Sequence, residues 1–171
     1  MKNTGNLKVT TNGDREIVMT RIFDAPRRLV FQAFTKPELV KRWLFGPDGW
    51  SLAVCEIDLR VGGSYRYVWH GPNAAVMGMG GIYRELAVPE RIVVTEKFDQ
   101  AWYAGETVGT ILLTEQAGKT TLVQTLLYES RETRDAVLRT PMEQGVAASY
   151  NRLEELLLSP DLMETQKGEK R

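Results

Sequence analysis

One histidine, His70, and one cysteine, Cys55, supply all the imidazole and thiol chemistry of this 171-residue chain. A Ser-His-Asp or Cys-His nucleophilic site would have to be built on His70. A zinc site needing two histidines or several cysteines cannot form, and neither can an internal disulfide. No catalytic constellation, metal-ligand set or cofactor signature is legible. His70 stands just before Gly71-Pro72, with strand parity opposite to Tyr65, Tyr67 and Trp69, and is expected to face solvent or cap the turn. Cys55 shares parity with Ala53, Ile57 and Leu59 and reads as a small buried apolar residue; a reactive thiol needs an electropositive, accessible setting.

The denser signal is aromatic. Trp43, Phe45 and Trp50 cluster around one short helical segment, Tyr65, Tyr67 and Trp69 recur at period two on one strand, and Trp102 and Tyr103 sit in the longest loop. An ordinary core could hold the period-two trio, but tyrosine and tryptophan carry polar tips that a dry core must satisfy, so their use favours a partly wet pocket. Met77, Met79 and Met142 add adaptable apolar surface, with plain core filling as the alternative. Tyr83, Phe98 and Val146 complete the apolar candidate lining.

Glu96 shares parity with Ile92, Val94 and Phe98. On an apolar face its carboxylate needs a cationic or hydrogen-bonding partner, such as Arg66 or Arg84, or a raised pKa. Left unpartnered, it is a candidate ligand anchor. Glu85, on the face of Gly81 and Tyr83, carries the same two readings. Gly145 lacks a Cβ and is expected to let a helix approach the sheet or a ligand closely.

The elements that must position these groups follow from period and punctuation. Residues 16–23, EIVMTRIF, suit a half-buried strand. Asp24-Ala25-Pro26 announces a helix through Leu29, Val30, Ala33 and Phe34, with Asp24 as the expected cap. Thr35-x-x-Glu38 with Pro37 predicts a capping box and a second short helix. From 50 to 128 the texture is that of an antiparallel meander, with strands expected over 51–59, 64–70, 76–86, 91–98, 107–115 and 119–128. A helical piece over 131–139 ends at Thr140-Pro141-Met142-Glu143, where threonine is the expected cap of a long final helix. Met142, Val146, Ser149, Leu153 and Leu156 form its apolar stripe; Glu154 lies off it.

Length fits one domain, taken as 15–159, with residues 1–14 and 160–171 expected to be flexible tails. Lys+Arg 22 against Asp+Glu 22 removes the broad electrostatic case for a nucleic-acid or anionic-membrane partner. No stretch approaches the ~20 apolar residues of a membrane span, and a cytoplasmic location is the expectation.

Asp24-Ala25-Pro26, Val30-Phe31-Gln32-Ala33-Phe34-Thr35-Lys36-Pro37-Glu38, Trp43 and Gly46-Pro47 resemble the opening motif of the activator of Hsp90 ATPase homologue family, of the START-like (SRPBCC) superfamily. Gly62-Gly63-Ser64-Tyr65, Gly81 through Leu86 with Pro89-Glu90-Arg91, Thr95-Glu96 and Met142 through Gly145 continue the resemblance in order. It implies an α+β helix-grip fold, in which a β-α-α-β6-α chain wraps a curved antiparallel sheet around a long C-terminal helix, leaving a hydrophobic cavity. It also implies a chaperone partner or a homodimer as alternatives to a small-molecule partner. It does not fix a reaction, because that fold serves carriers, receptors, cyclases and co-chaperones.

Three functions follow as expectations. The first is a module binding an apolar or aromatic small molecule, unchanged, with affinity depending on Trp69 more than on His70. The second is a cyclase- or dehydratase-type enzyme using a cavity carboxylate, and the third is a co-chaperone-type interaction domain.

Overall fold

Period-two burial sets the sheet. In Glu16–Phe23 the buried side chains are Ile17, Met19, Arg21 and Phe23, and in Ser64–His70 they are Tyr65, Tyr67 and Trp69. A computed structural model describes residues 6–100, 102, 103, 105–160 and 162. The chain runs as β1 (Lys8–Asn12), β2 (Glu16–Phe23), α1 (Arg27–Thr35), α2 (Pro37–Val40), β3 (Ser51–Ile57), β4 (Ser64–His70), β5 (Val76–Ala87), β6 (Arg91–Phe98), β7 (Thr107–Gln116), β8 (Lys119–Leu127), α3 (Arg131–Leu138) and α4 (Met142–Leu157). All eight strands join one curved antiparallel sheet in the order β1-β2-β8-β7-β6-β5-β4-β3. The expected α+β helix-grip architecture is the one observed.

Alternating sequences such as EIVMTRIF can bury one face only if something apolar covers it. α4 does so. Its Ala147, Tyr150, Leu153 and Leu157 are buried, and Tyr150 meets Phe23 of β2 and Phe34 of α1 edge-on, with ring centroids 5.8 and 6.4 Å apart. Full burial of a leucine such as Leu153 contributes about 1.5–3 kcal/mol. The tight β7–β8 hairpin uses Ala117 and Gly118 at φ 54° and 76°, the left-handed pair that matches strand twist.

Several local expectations are corrected. β1, at Lys8–Asn12, lies within the stretch expected to be an N-terminal tail, and pairs with β2 from Lys8 opposite Thr20 to Asn12 opposite Glu16. Its pattern is polar because it is an edge strand, mostly exposed on both faces. At the other end Leu162 is buried in the core; residues 161 and 163–171, like 1–5, lie outside the described residues.

The expected caps, Asp24, Thr35 and Thr140, are not the residues observed at those positions. Pro26, Lys36 and Pro141 occupy the cap positions and make no side-chain cap bond. The Thr35 and Thr140 hydroxyls instead donate back to the carbonyls of Phe31 and Val137, at 2.9 and 2.6 Å. The first turn of α1 is satisfied from afar: the Arg27 N–H donates to Glu115 Oε1 at the end of β7, 2.8 Å away, which also sets a carboxylate at the positive end of that helix. Only α3 is capped locally, by Ser130 accepting from the Thr133 N–H.

Candidate functional site

Between α4 and the concave sheet face the side chains do not close. A cavity of about 490 Å³ remains, bordered by β2, β4, β5, β6, β7 and β8, by α4, and by the segment between α2 and β3. Protein interiors are otherwise packed at crystal-like density, so a space this large is a candidate ligand site. Trp43, Phe45, Trp50, Tyr65, Tyr67, Trp69, Met77, Met79, Tyr83, Glu96, Phe98, Met142, Gly145 and Val146 all border it; strand parity brings in those of β4, β5 and β6, the helix stripe Met142 and Val146, and the segment between α2 and β3 the rest but Gly145.

The tyrosine trio forms one wall. Tyr65 lies 5.1 Å from Tyr67 and 5.6 Å from Tyr83 between ring centroids, and Tyr67 lies 5.8 Å from Trp69. The polar tips divide into two groups. Trp69 Nε1 donates to the Leu44 carbonyl at 2.8 Å, Trp43 Nε1 to the Ala33 carbonyl at 2.9 Å, and the Tyr65 hydroxyl to the Thr95 carbonyl at 2.6 Å. Those tips fix the scaffold, which corrects the expectation that the indoles signal a wet pocket. The Tyr67 and Tyr83 hydroxyls have no hydrogen-bond partner among the described residues, and burial pushes both well above the ordinary tyrosine pKa.

Among the described residues Glu96 is the one carboxyl of the lining. The arginines considered as partners are engaged elsewhere: Arg66 makes a two-bond pair with Asp99 at 2.6 and 2.5 Å, and Arg84 approaches Glu106 at 3.9 Å. Among the described residues Glu96 makes no ion pair or hydrogen bond, and burial alone pushes its pKa up to about 7. It faces Tyr65, Tyr67, Tyr128 and Tyr150, all of whose hydroxyls are raised by burial first and by this carboxyl second or lower. Gly109 of β7 makes the room: a Cβ there would stand 3.0 Å from Glu96 Oε1.

Glu85 leaves the site. The β5–β6 register shifts between Tyr83 and Glu85, which turns Glu85 outward to pair with Arg91 at 3.0 Å. His70 is exposed and does not border the cavity. Cys55 is buried, and desolvation pushes its thiol up to about 11. Gly145 serves no close approach, since a Cβ there would meet nothing within 4 Å; it borders open space where α4 begins. Gly71 does serve one, with the Trp50 indole 2.6 Å from where its Cβ would be.

Sequence reasoning missed the far wall. Met19 and Ile111 belong to period-two apolar faces of β2 and β7 that could have been followed inward. Gln124, whose Oε1 accepts from the Tyr150 hydroxyl, carries no such signal. Phe45, between α2 and β3, was an expected lining residue, but the contacts that hold its segment were not legible. The Gly46 N–H donates to Ser149 Oγ at 3.1 Å, its carbonyl accepts from Arg152, and that guanidinium lies 3.9 Å over the Phe45 ring. These contacts strap the segment to α4. Among the described residues no group of acidic, histidine or cysteine side chains is arranged to hold a metal, and no helix is long and apolar enough to cross a membrane.

The family model described as Activator of Hsp90 ATPase homolog 1-like protein matches residues 24–158. A search of curated proteins finds no match. Among solved structures, a protein from Rhodobacter sphaeroides is 29% identical, with a TM-score of 0.84 over 90% of this chain and 98% of that one. A protein from Chromobacterium violaceum is 30% identical, with a TM-score of 0.67 over 82% and 96%. One from Mycobacterium smegmatis, 21% identical with a TM-score of 0.79 over 90% and 96%, shares the fold.

Proposed function

Since the chain belongs to the Activator of Hsp90 ATPase homolog 1-like family, of a superfamily that binds ligands in a cavity, we propose that it holds an apolar or amphipathic small molecule between α4 and the sheet and releases it unchanged. The observation that carries this reading is the 490 Å³ space itself, walled by aromatic and methionine side chains and bearing a few polar groups. That is the usual anatomy of a small-molecule site. Burial of the ligand's apolar surface supplies the affinity, and the unpartnered Glu96, Tyr67 and Tyr83 groups orient it.

Glu96 also supports a second reading. A carboxyl near 7 in an enclosed site can take and return a proton near neutrality, as a cyclase- or dehydratase-type enzyme would require. Among the described residues no histidine or second carboxyl borders the cavity to share that work, which favours binding over turnover. The chaperone partner rests on family likeness alone.

The test is native mass spectrometry of freshly purified protein, followed by titration of N-phenylnaphthylamine into the wild type, Val146→Trp, Trp69→Ala and His70→Ala. Val146→Trp fills the cavity and is expected to abolish binding. Trp69→Ala removes a wall and frees Leu44, weakening binding; His70→Ala leaves it unchanged. Equal binding by the wild type and all three variants would contradict the reading. A retained molecule that is converted on incubation, with conversion lost in Glu96→Gln, would favour the enzyme.

A further inference from the structure

A cavity that binds small molecules still has to choose among them, and its charge content decides which class it accepts. Among the described residues no lysine, arginine or histidine borders the space, and Glu96 is its one carboxyl. The arginines around it pair with other groups, Arg66 with Asp99, Arg84 with Glu106, Arg21 through one nitrogen with Glu154 at 3.1 Å, and Arg152 with the Gly46 carbonyl and with Asp48 at 3.3 Å; none of them pairs with Glu96. An acidic amphiphile would therefore bring a second negative group beside an unpaired first one, in a medium that hardly screens either.

A cation meets the opposite conditions. The carboxyl is already half-buried by the fold, so part of the usual desolvation penalty of an ion pair has been met before the ligand arrives. Tyr65, Tyr67 and Tyr83 gather three tyrosine rings on one wall, and an aromatic ring attracts a positive group that comes to lie over its face. The unpaired Tyr67 and Tyr83 hydroxyls can accept further N–H bonds. The rest of the space is apolar and suits a hydrocarbon or aryl body.

Resting on the ligand-binding reading above, we infer that the physiological ligand is an apolar-bodied amine carrying one positive charge, with its nitrogen against Glu96 and its body between the β4 aromatic wall and α4.

Three matched probes test this by calorimetric titration: naphthylethylamine, naphthylethanol and naphthylacetic acid. They share a ring system and differ in charge. The wild type is expected to bind the amine about tenfold or more tighter than the alcohol, and the acid most weakly. Glu96→Gln keeps the shape of the side chain and is expected to bring amine and alcohol within about threefold of each other, while Glu96→Asp retains part of the preference with its charge withdrawn from the cavity. Alcohol binding reports the cavity, and the amine-to-alcohol ratio reports the anchor. An acid that equals or exceeds the amine, or a ratio unchanged in Glu96→Gln, overturns the amine assignment and leaves the ligand-binding reading standing. Failure of all three probes to bind folded wild type overturns both.

Discussion

Glu96 Oε1 occupies the space that a side chain on Gly109 would need: a Cβ built there stands 3.0 Å from the oxygen and 3.5 Å from Val94 Cγ2. The two residues lie on adjacent strands, with Gly109 registered opposite Val94. An alanine at 109 would push a flexible carboxyl rather than backbone. The Gly109→Ala variant is therefore expected to unfold within about 1 kcal/mol of wild type, because the lost glycine entropy offsets the crowding. Its amine-to-alcohol affinity ratio should fall while the alcohol affinity holds. A variant with a wild-type ratio would show that the carboxyl's position is unimportant.

The titration of Glu96 ties stability to pH. Burial raises its folded pKa to about 7 from an ordinary 4.5, so between those values the folded state binds a proton that the unfolded chain has lost. Stability contributed this way is full below the unfolded value and declines as pH rises through the folded one, by at most about 3 kcal/mol. The tyrosines facing it, Tyr65 and Tyr67 on β4, Tyr128 after β8 and Tyr150 on α4, are all shifted upward and stay neutral throughout. Glu96→Gln should match wild type near pH ~5 and exceed it near pH ~8 in denaturant midpoint at equal m. A pH-independent difference would place the carboxyl in water.

The covering face of α4 is read by three truncations. Leu153→Ala removes a fully buried side chain and is expected to cost about 2–5 kcal/mol. Glu154 lies off the apolar stripe, yet its carboxylate makes the one hydrogen bond of the buried Arg21 guanidinium, whose Nε and Nη1 have no partner among the described residues. Glu154→Ala should cost about 1–3 kcal/mol by stranding that cation. The exposed Glu155→Ala is the control, expected within about 0.5 kcal/mol of wild type.

Cys55 should resist native-state labelling. Burial holds its thiol at about 11, leaving little thiolate near neutrality. Reaction with a maleimide at pH ~7.5 is expected to follow global unfolding, accelerating in step with denaturant. Stoichiometric labelling within minutes in buffer alone would mean that β3 opens locally.

What the sequence makes legible here is what local period encodes. Tyr65, Tyr67 and Trp69 alternate on a strand and Met142 and Val146 repeat on a helix, so their common destination can be read before any coordinates. Glu96 could be placed in the cavity by parity with Ile92 and Val94, but its lack of a partner could not, because Asp99 and Glu106 claim Arg66 and Arg84 through tertiary geometry. The same limit explains the caps: Asp24 looks like the start of α1, while the acceptor that serves Arg27 is Glu115, 88 residues away. It also explains Glu154, whose role depends on Arg21 across the domain. β1 failed for a different reason, since KVTTN is an edge strand with no buried face to leave a pattern.

The central claim, that a ligand enters the space between α4 and the sheet, is tested most directly by the methionine methyls. Met19, Met77, Met79 and Met142 border the cavity from β2, β5 and α4. In protein labelled with [methyl-13C]methionine, titration with N-phenylnaphthylamine should shift all four resonances together and saturably, and Val146→Trp should remove the response. Unshifted Met19, Met79 and Met142 resonances at saturating probe, with any change confined to the exposed Met77, would contradict the account.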